Sequence, residues 1–287
     1  MNKGLPSWLN PVWLVIGSII SVQVGAAVAK SLFQVTAPTA VAWLRMAIAA
    51  VILLVIARPR VRGRSGREWL TVLGYGVMLA TMNWSIYLSF SRIPIGLAVT
   101  IEFLGPLVLA LLGARRVRDL LWAVLAAVGV ALLGVFPVTV DWIGVGFALL
   151  AGAAWAGYIV LGRHTGRSWE GVTGVSMGSL VGATVFLIPG LLAGGATLLD
   201  VRVLLLAGLV AVMSSVIPYG LEMVALRSIP AGTFGILMSL EPAAAALAAL
   251  VVLGEQLSMV EMAAMACVII ASIGATRGLS TPAAVDA

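Results

Sequence analysis

The sequence is poor in the side chains that soluble proteins use for metal, redox or nucleotide chemistry. Its 287 residues include one cysteine and one histidine, and only 10% are charged. The single thiol, Cys267, excludes an internal disulfide, and the single histidine, His164, falls in a predicted loop at 162–171, so no histidine-rich zinc site is expected. No glycine-rich loop ends in Gly-Lys-Ser or Gly-Lys-Thr, which argues against ATP as the energy source. We therefore expect no enzyme activity, no metal and no cofactor.

Apolar side chains are what the sequence has in excess. Hydrophobic residues make up 62% of the chain and the mean hydropathy is +1.14, whereas soluble proteins average about 45–50% apolar and 25% charged residues. About 20 apolar residues span the hydrocarbon core as a helix. The chain is therefore predicted to be an all-α integral membrane protein with ten transmembrane helices. The predicted spans are 12–32, 39–56, 69–90, 95–112, 120–135, 142–161, 172–192, 201–223, 233–253 and 259–276.

Basic residues predict the orientation of these spans, because cytoplasmic loops are enriched in Lys and Arg. With a cytoplasmic N-terminus, thirteen basic residues lie inside and three lie outside, namely Lys30, Arg92 and Arg202. The densest group is the loop at 58–67, which can also meet anionic lipid headgroups. Both termini are then cytoplasmic. The net charge of +6 does not indicate nucleic acid, because the basic residues are not interleaved with base-stacking aromatics.

A short internal repeat relates the two halves of the chain. The segment SRIPIG at 91–96 resembles RSIPAG at 227–232, and at the same offset Pro106 corresponds to Pro242. Five spans in each half is an odd number, so the second half enters the membrane from the opposite side. Inverted repeats of this kind are typical of secondary transporters, which bind substrate near the midplane between the halves. We predict two inverted five-helix repeats, 12–136 and 142–277, around a central cavity.

The motifs within these spans resemble a known family. The segments EFLGPL at 102–107 and MSLEPA at 238–243 are similar to those of EamA-type members of the drug/metabolite transporter superfamily. Further segments resemble the threonine/homoserine exporter branch of bacterial inner membranes; they are SVQVGAA at 21–27, AKSLF at 29–33, Met82-Asn83 with Tyr87, and PYGLEM at 218–223. The resemblance covers nearly the whole chain. It implies a multi-pass inner-membrane protein that exports small amino acids, with protons as the coupling ion.

Charged residues inside spans are costly and usually face a cavity or a partner, so they are the best functional candidates. Arg45 and Glu102 lie at similar depths, about 10 and 12 Å from the outer ends of spans two and four. Glu102 can titrate a proton or bind an amine. Arg45 can clamp a substrate carboxylate bidentately. The two can also form a structural ion pair, and the sequence does not decide between these roles.

The remaining candidates are polar groups and helix-breaking prolines within spans. Glu241 lies near the midplane, whereas Glu222 is close to the cytoplasmic end of span eight and Lys30 is near the outer end of span one, where lysines ordinarily extend toward water. A proline removes the hydrogen bond to the carbonyl four residues earlier, so kinks are expected. The other candidate polar side chains are Gln23, Asn83, Tyr87 and Tyr158, and the predicted kinks are at Pro106, Pro242 and Pro218.

Two alternatives to a threonine/homoserine-like exporter follow from the same residues. One is a carrier of another small metabolite or drug, because a fold does not determine its substrate. The other is a membrane scaffold or sensor that transports nothing, which should tolerate neutral replacements of Glu102 and Arg45. The sequence predicts the lipid bilayer as surroundings and predicts no oligomeric state.

Overall fold

The chain folds into membrane-length helices. A computed structural model describes residues 10–112, 117–135, 141–169, 172–226, 228–229 and 231–279. Its helices are α1 (Pro11–Ser31), α2 (Pro38–Ala57), α3 (Gly66–Phe90), α4 (Ile95–Glu102), α5 (Leu104–Leu112), α6 (Val117–Val135), α7 (Trp142–Ser168), α8 (Thr173–Val185), α9 (Leu187–Gly194), α10 (Val201–Ala211), α11 (Ile217–Leu226), α12 (Ala231–Met238), α13 (Glu241–Leu253) and α14 (Met259–Leu279). A π-helical turn, Val212–Val216, joins α10 to α11.

Seven continuous spans in the described residues are long and apolar enough to cross a membrane, and the bent pair α8–α9 brings the number to eight if it crosses as one broken span. The other two predicted spans correspond to α3 and α6. Helix α3 has 25 residues and begins with charged side chains, and α6 has a shorter apolar stretch, Leu120–Gly129. The fold is therefore helical and of a multi-pass membrane type, while ten crossings remain a prediction.

Local capping explains where the helices begin and end. Pro11 and Pro38 occupy first-turn positions, where a missing N–H costs nothing. Ser65 and Glu68 form a capping box at the start of α3, with reciprocal side-chain and backbone hydrogen bonds. Asp141 caps α7. The pKa of its carboxyl lies below the ordinary value, mainly because Arg92 donates a hydrogen bond to it and also because backbone N–H groups do. These caps were not anticipated from the sequence.

Two predicted boundaries were wrong. The sequence predicted a loop at 162–171, but α7 continues through Ser168, so His164 is helical. Gly162 and Gly166 do not end the helix; Gly162 instead faces the Tyr75 ring, which lies 3.3 Å from where a Cβ would be. Span seven was predicted as one helix, but it breaks at Phe186 with a bend of 57°. The cause is Pro189, which cannot donate to the Val185 carbonyl.

The helices pack so that both halves of the chain contribute to one interior. Helix α1 contacts α11 and α13, α3 contacts α7 and α8, and α4 contacts α7 and α13. Every residue of α4 is buried, so no face of this helix meets lipid. Helix α6 packs on α14, and α2 packs on α8, α9 and α10. The enclosed helix α4 ends at Glu102, which places a carboxylate in the centre of the protein.

Candidate functional site

A cavity of about 150 Å³, with a mostly apolar wall that carries several charged and polar side chains, lies between helices from both halves of the chain. An apolar cavity of this volume in another protein holds benzene, so the space suits a small solute. Eight of the nine predicted substrate or proton residues line it. They are Glu102, Arg45, Glu241, Gln23, Asn83, Tyr87, Tyr158 and Glu222. The ninth, Lys30, does not.

Arg45 is held by the π-helical turn of the opposite half. Its Nη2 donates to the Ser214 carbonyl at 2.9 Å, and longer contacts of 3.4 Å reach the Ser215 and Tyr87 hydroxyls. The guanidinium also lies 5.6 Å from the centre of the Tyr87 ring. A guanidinium has five N–H donors. Three are used here, which leaves two for a ligand in the cavity.

Pro218, which follows the π-helical turn, explains why carbonyls of that turn can accept hydrogen bonds from side chains. The Ile217 N–H bonds to the Val212 carbonyl, five residues back. Pro218 has no N–H, so position 218 donates to neither Met213 nor Ser214. Side chains donate to these two carbonyls instead. The Ser21 hydroxyl donates to the Met213 carbonyl at 2.7 Å, and Arg45 donates to the Ser214 carbonyl. The segment before Pro218, where a kink was predicted, is thus hydrogen-bonded to side chains of both α1 and α2.

Three carboxylates line the cavity with this one guanidinium. Glu222 accepts a 2.6 Å hydrogen bond from the Ser18 hydroxyl. Glu102 and Glu241 are buried, with 8% and 7% of their surface exposed, and neither makes a hydrogen bond or ion pair to another described residue. Arg45 is near enough to Glu102 to interact electrostatically, but the two do not form an ion pair within 4.0 Å. The direct Arg45–Glu102 pair that the sequence left open is absent.

Each unpaired carboxylate lies at a break in its helix. Helix α4 ends at Glu102 and α5 begins at Leu104, whereas α12 ends at Met238 and α13 begins at Glu241. Pro106 and Pro242 each lack the N–H that would bond four residues back, to Glu102 and Met238 respectively. The first segments of both broken helices contain eight residues. Both breaks face the cavity, because Glu102, Met238 and Glu241 all line it.

Glycine contacts set the position of the α4–α5 break. A Cβ on Gly105 would overlap the Gly152 carbonyl of α7, and a Cβ on Gly152 would lie 2.6 Å from the Glu102 carbonyl oxygen. The backbones of α4–α5 and α7 therefore touch directly at this point. Only glycine permits so close an approach. The backbone of Glu102 is fixed against a neighbouring helix while its side chain faces the cavity.

Lys30 lies apart from the cavity, in a polar cluster at the end of α1. Its Nζ is 2.6 Å from Glu255 Oε1 and donates to the Ile93 carbonyl at 3.0 Å. The lysine therefore does not simply extend into water, as its depth in the sequence suggested, and in this structure it does not contact the candidate binding space.

The sequence missed several residues of the site. Tyr219 and Ser214 line the cavity together with apolar residues such as Ile86 and Val99, whereas Trp155 also lines it, as its position beside Gly152 and Gly157 in the sequence had suggested. The π-helical turn carried one usable signal, Ser214-Ser215 directly upstream of Pro218 inside an apolar run. Among the described residues, no group of three or more His, Cys, Asp or Glu side chains could hold a metal. The cavity instead offers one cation, three carboxylates and several hydroxyls to a small polar solute.

Comparison with known proteins identifies the family. Residues 142–277 match the model of the EamA-like transporter family. The chain is 40% identical over 277 residues to the threonine/homoserine exporter RhtA of Escherichia coli K12, which covers 96% of the chain and 93% of the relative. The chain belongs to the EamA-type drug/metabolite transporters. Within them it lies in the RhtA branch.

Two further matches agree. The threonine/homoserine exporter RhtA of Salmonella typhimurium SL1344 is 40% identical over 278 residues, covering 96% of the chain and 94% of the relative. A solved crystal structure superposes with a TM-score of 0.64 over 94% of the chain and 99% of its own length, at 17% identity, which supports the fold alone. The EamA-type protein is thus a multi-pass inner-membrane transporter of the exporter kind.

Proposed function

We propose that the protein exports small amino acids of the threonine and homoserine kind in exchange for protons. The observation that carries the proposal is the cavity. There the Arg45 guanidinium, which has spare N–H donors, and the unpaired Glu102 carboxylate lie near each other without forming an ion pair. Such a pair of opposite charges matches a zwitterion. Relatives that are 40% identical over almost the whole chain are named threonine/homoserine exporters, which supports this substrate class.

In this proposal Arg45 binds the substrate carboxylate and Glu102 its ammonium group. The hydrogen bond to the Ser214 carbonyl holds the guanidinium in place, and its planar fork suits a carboxylate. The polar side chains Gln23, Asn83, Tyr87 and Tyr158 line the same space and can bond a substrate hydroxyl. These polar groups are already removed from bulk water in the folded protein. A ligand that forms hydrogen bonds with them therefore gains binding free energy at little further desolvation cost to the protein.

The cavity carboxylates are the proposed proton sites, with Glu102 and Glu241 first and Glu222 after them. A carboxylate without a fixed hydrogen-bonding partner can bind and release a proton with little rearrangement of its surroundings. Ionisable groups inside membrane spans of transporters commonly serve as proton relays. Glu222 already accepts a hydrogen bond from Ser18, which makes it the less available of the three.

Inverted five-helix repeats, 12–136 and 142–277, are proposed as the frame for alternating access. Such a repeat would relate two pairs of helix contacts. The contact of α3 with α7 corresponds to that of α1 with α10 and α11, and the contact of α4 with α7 corresponds to that of α1 with α13. The eight-residue segments α4 and α12 start 136 residues apart, the offset that also relates Pro106 to Pro242. Loops predicted for the same side are in contact, for example through the Arg92–Asp141 ion pair.

Counterflow in proteoliposomes tests the proposed substrate. Vesicles loaded with unlabelled threonine should take up labelled threonine, and homoserine should compete. Glu102→Gln should reduce this exchange strongly. Glu261→Gln is the matched control, because Glu261 is equally buried but forms a capping box with Ser258 at the start of α14.

Other results would favour the alternatives. Exchange of aromatic amino acids or drugs without threonine would indicate a different substrate on the same fold. Absence of all exchange, with Glu102 and Arg45 replaceable at no cost to expression or folding, would favour a scaffold or sensor.

A further inference from the structure

The polar cluster around Lys30 joins three helices that are distant in sequence. Lys30 at the end of α1 pairs with Glu255, which follows the C-terminus of α13, at 2.6 Å. Lys30 also donates to the carbonyl of Ile93, and Glu255 Oε2 accepts from the N–H of Ile95 at 3.0 Å. We call these four groups the latch. Its two charged side chains are 20% exposed, so water screens their pairing only partly.

Glu255 supplies a helix cap from the other half of the chain. Helix α4 begins after Pro94, which offers no side-chain hydrogen bond to the free N–H groups of the first turn. The Glu255 carboxylate bonds the first of these, that of Ile95, and its negative charge is favourable at the positive end of the helix. The other end of α4 carries Glu102. One short, fully buried helix therefore connects the latch to a cavity carboxylate.

The latch lies directly beyond one end of the cavity. Three residues of the latch are each three or four positions from a residue that lines the cavity. Ala26 precedes Lys30, Phe90 precedes Ile93, and Val99 follows Ile95. At about 1.5 Å of helix rise per residue, Lys30 and Ile95 lie roughly 6 Å along their helices from Ala26 and Val99. In the proposed topology this is the outer end. A substrate leaving outward must pass between the elements that the latch holds together.

We propose that Lys30 and Glu255 are positioning residues for export, which close the outer end of the cavity and fix α4 with its Glu102. The ion pair must separate each time the outer end opens. Breaking it shifts the population toward the outward-open form, and restoring a positive charge at position 30 restores closure. The proposal rests on the proposed transport function and orientation.

Cysteine labelling tests the latch without requiring transport. In a Cys267→Ala background, Ala26→Cys places a thiol at the cavity wall one turn from Lys30. A membrane-impermeant maleimide is added outside intact cells. Adding Glu255→Gln keeps an acceptor for the Ile95 N–H but removes the ion pair, and should speed labelling about fivefold. Glu255→Ala removes both bonds and should speed it further, whereas Lys30→Arg should label nearly as slowly as the parent.

The Arg92–Asp141 pair provides the matched control. It is an ion pair of 3.0 Å on the same side, but its side chains are 40% and 35% exposed and it caps α7 rather than α4. Arg92→Gln should leave the labelling rate unchanged. The proposal is overturned if Glu255→Ala labels at the parent rate while retaining the parent's expression and thermal stability, or if Arg92→Gln accelerates labelling equally.

Transport measurements separate this proposal from the proposed function. The latch variants should alter the maximal rate of threonine counterflow more than the substrate concentration at half-maximal rate, because they change opening rather than binding. A parent protein that exchanges threonine normally, with no effect of Glu255→Ala on labelling, would refute the latch alone. A parent protein that exchanges no amino acid, but shows the labelling shift, would refute the proposed function alone.

Discussion

Replacing Gly152 by alanine should displace Glu102 and impair transport, whereas the same replacement at Gly146 in the same helix should not. A Cβ at Gly152 would lie 2.6 Å from the Glu102 carbonyl oxygen and 3.3 Å from the Gly105 nitrogen. Ordinary carbon–oxygen contacts are about 3.3–3.6 Å. The backbones must therefore separate by close to 1 Å. At Gly146 nothing lies within 4 Å of the added atom.

The magnitudes follow from these distances. Overpacking costs about 1–3 kcal/mol, while alanine in place of helical glycine contributes about 0.5–1 kcal/mol of stability. Gly146→Ala should thus be neutral or slightly stabilising, and Gly152→Ala should be destabilised by up to about 2.5 kcal/mol. Displacing a binding carboxylate by 1 Å can lower a rate up to about 100-fold. Thermal unfolding in detergent and threonine counterflow measure the two effects. Equal stability and equal transport in the two variants would refute the glycine contact as the support of Glu102.

Three further predictions concern the charges and the topology. Arg45→Lys should fold, because an ammonium can still donate to the Ser214 carbonyl. It should reduce threonine exchange about tenfold or more, because the bidentate fork is lost. A stable Lys variant with normal exchange and unchanged competition by threonine amide would contradict the role of Arg45 as a carboxylate clamp. Glu102→Gln should flatten the pH profile of exchange, since glutamine cannot release a proton, and an unchanged profile would move the proton site to Glu241. Arg60→Cys in a Cys267→Ala background should resist an impermeant reagent added outside intact cells, whereas its labelling there would reverse the proposed topology.

The sequence predicted the residues of the cavity better than their partners. Burying a charge is expensive whatever surrounds it, so Arg45, Glu102 and Glu241 could be selected from hydropathy alone. Their contacts depend on how each helix is rotated and how far it is shifted along its axis, which no single sequence states. Arg45 binds the carbonyl of Ser214 in the π-helical turn Val212–Val216, four residues before Pro218, which has no N–H to donate to it.

The ion pair between Lys30 and Glu255 could not be predicted from the sequence either. Lys30 and Glu255 are 225 positions apart and both lie near helix ends, where charged side chains usually meet water. Two helix boundaries were missed for different reasons, one of them packing and the other a local backbone effect. Gly162 continues α7 because it packs on Tyr75, and Pro189 breaks a span whose hydropathy is uninterrupted. The prolines of spans four and nine were easier to interpret, because each follows closely on an isolated Glu in the same apolar run.

Proton movement during amino-acid exchange tests the central claim most directly. Proteoliposomes loaded with threonine and a pH-sensitive dye, then diluted into threonine-free buffer at the same pH, should acidify inside as threonine leaves and protons enter. The acidification should be absent in empty liposomes, much slower with Glu102→Gln, and unchanged with Glu261→Gln. Efflux of labelled threonine at the normal rate with no change of internal pH would contradict proton exchange through this cavity.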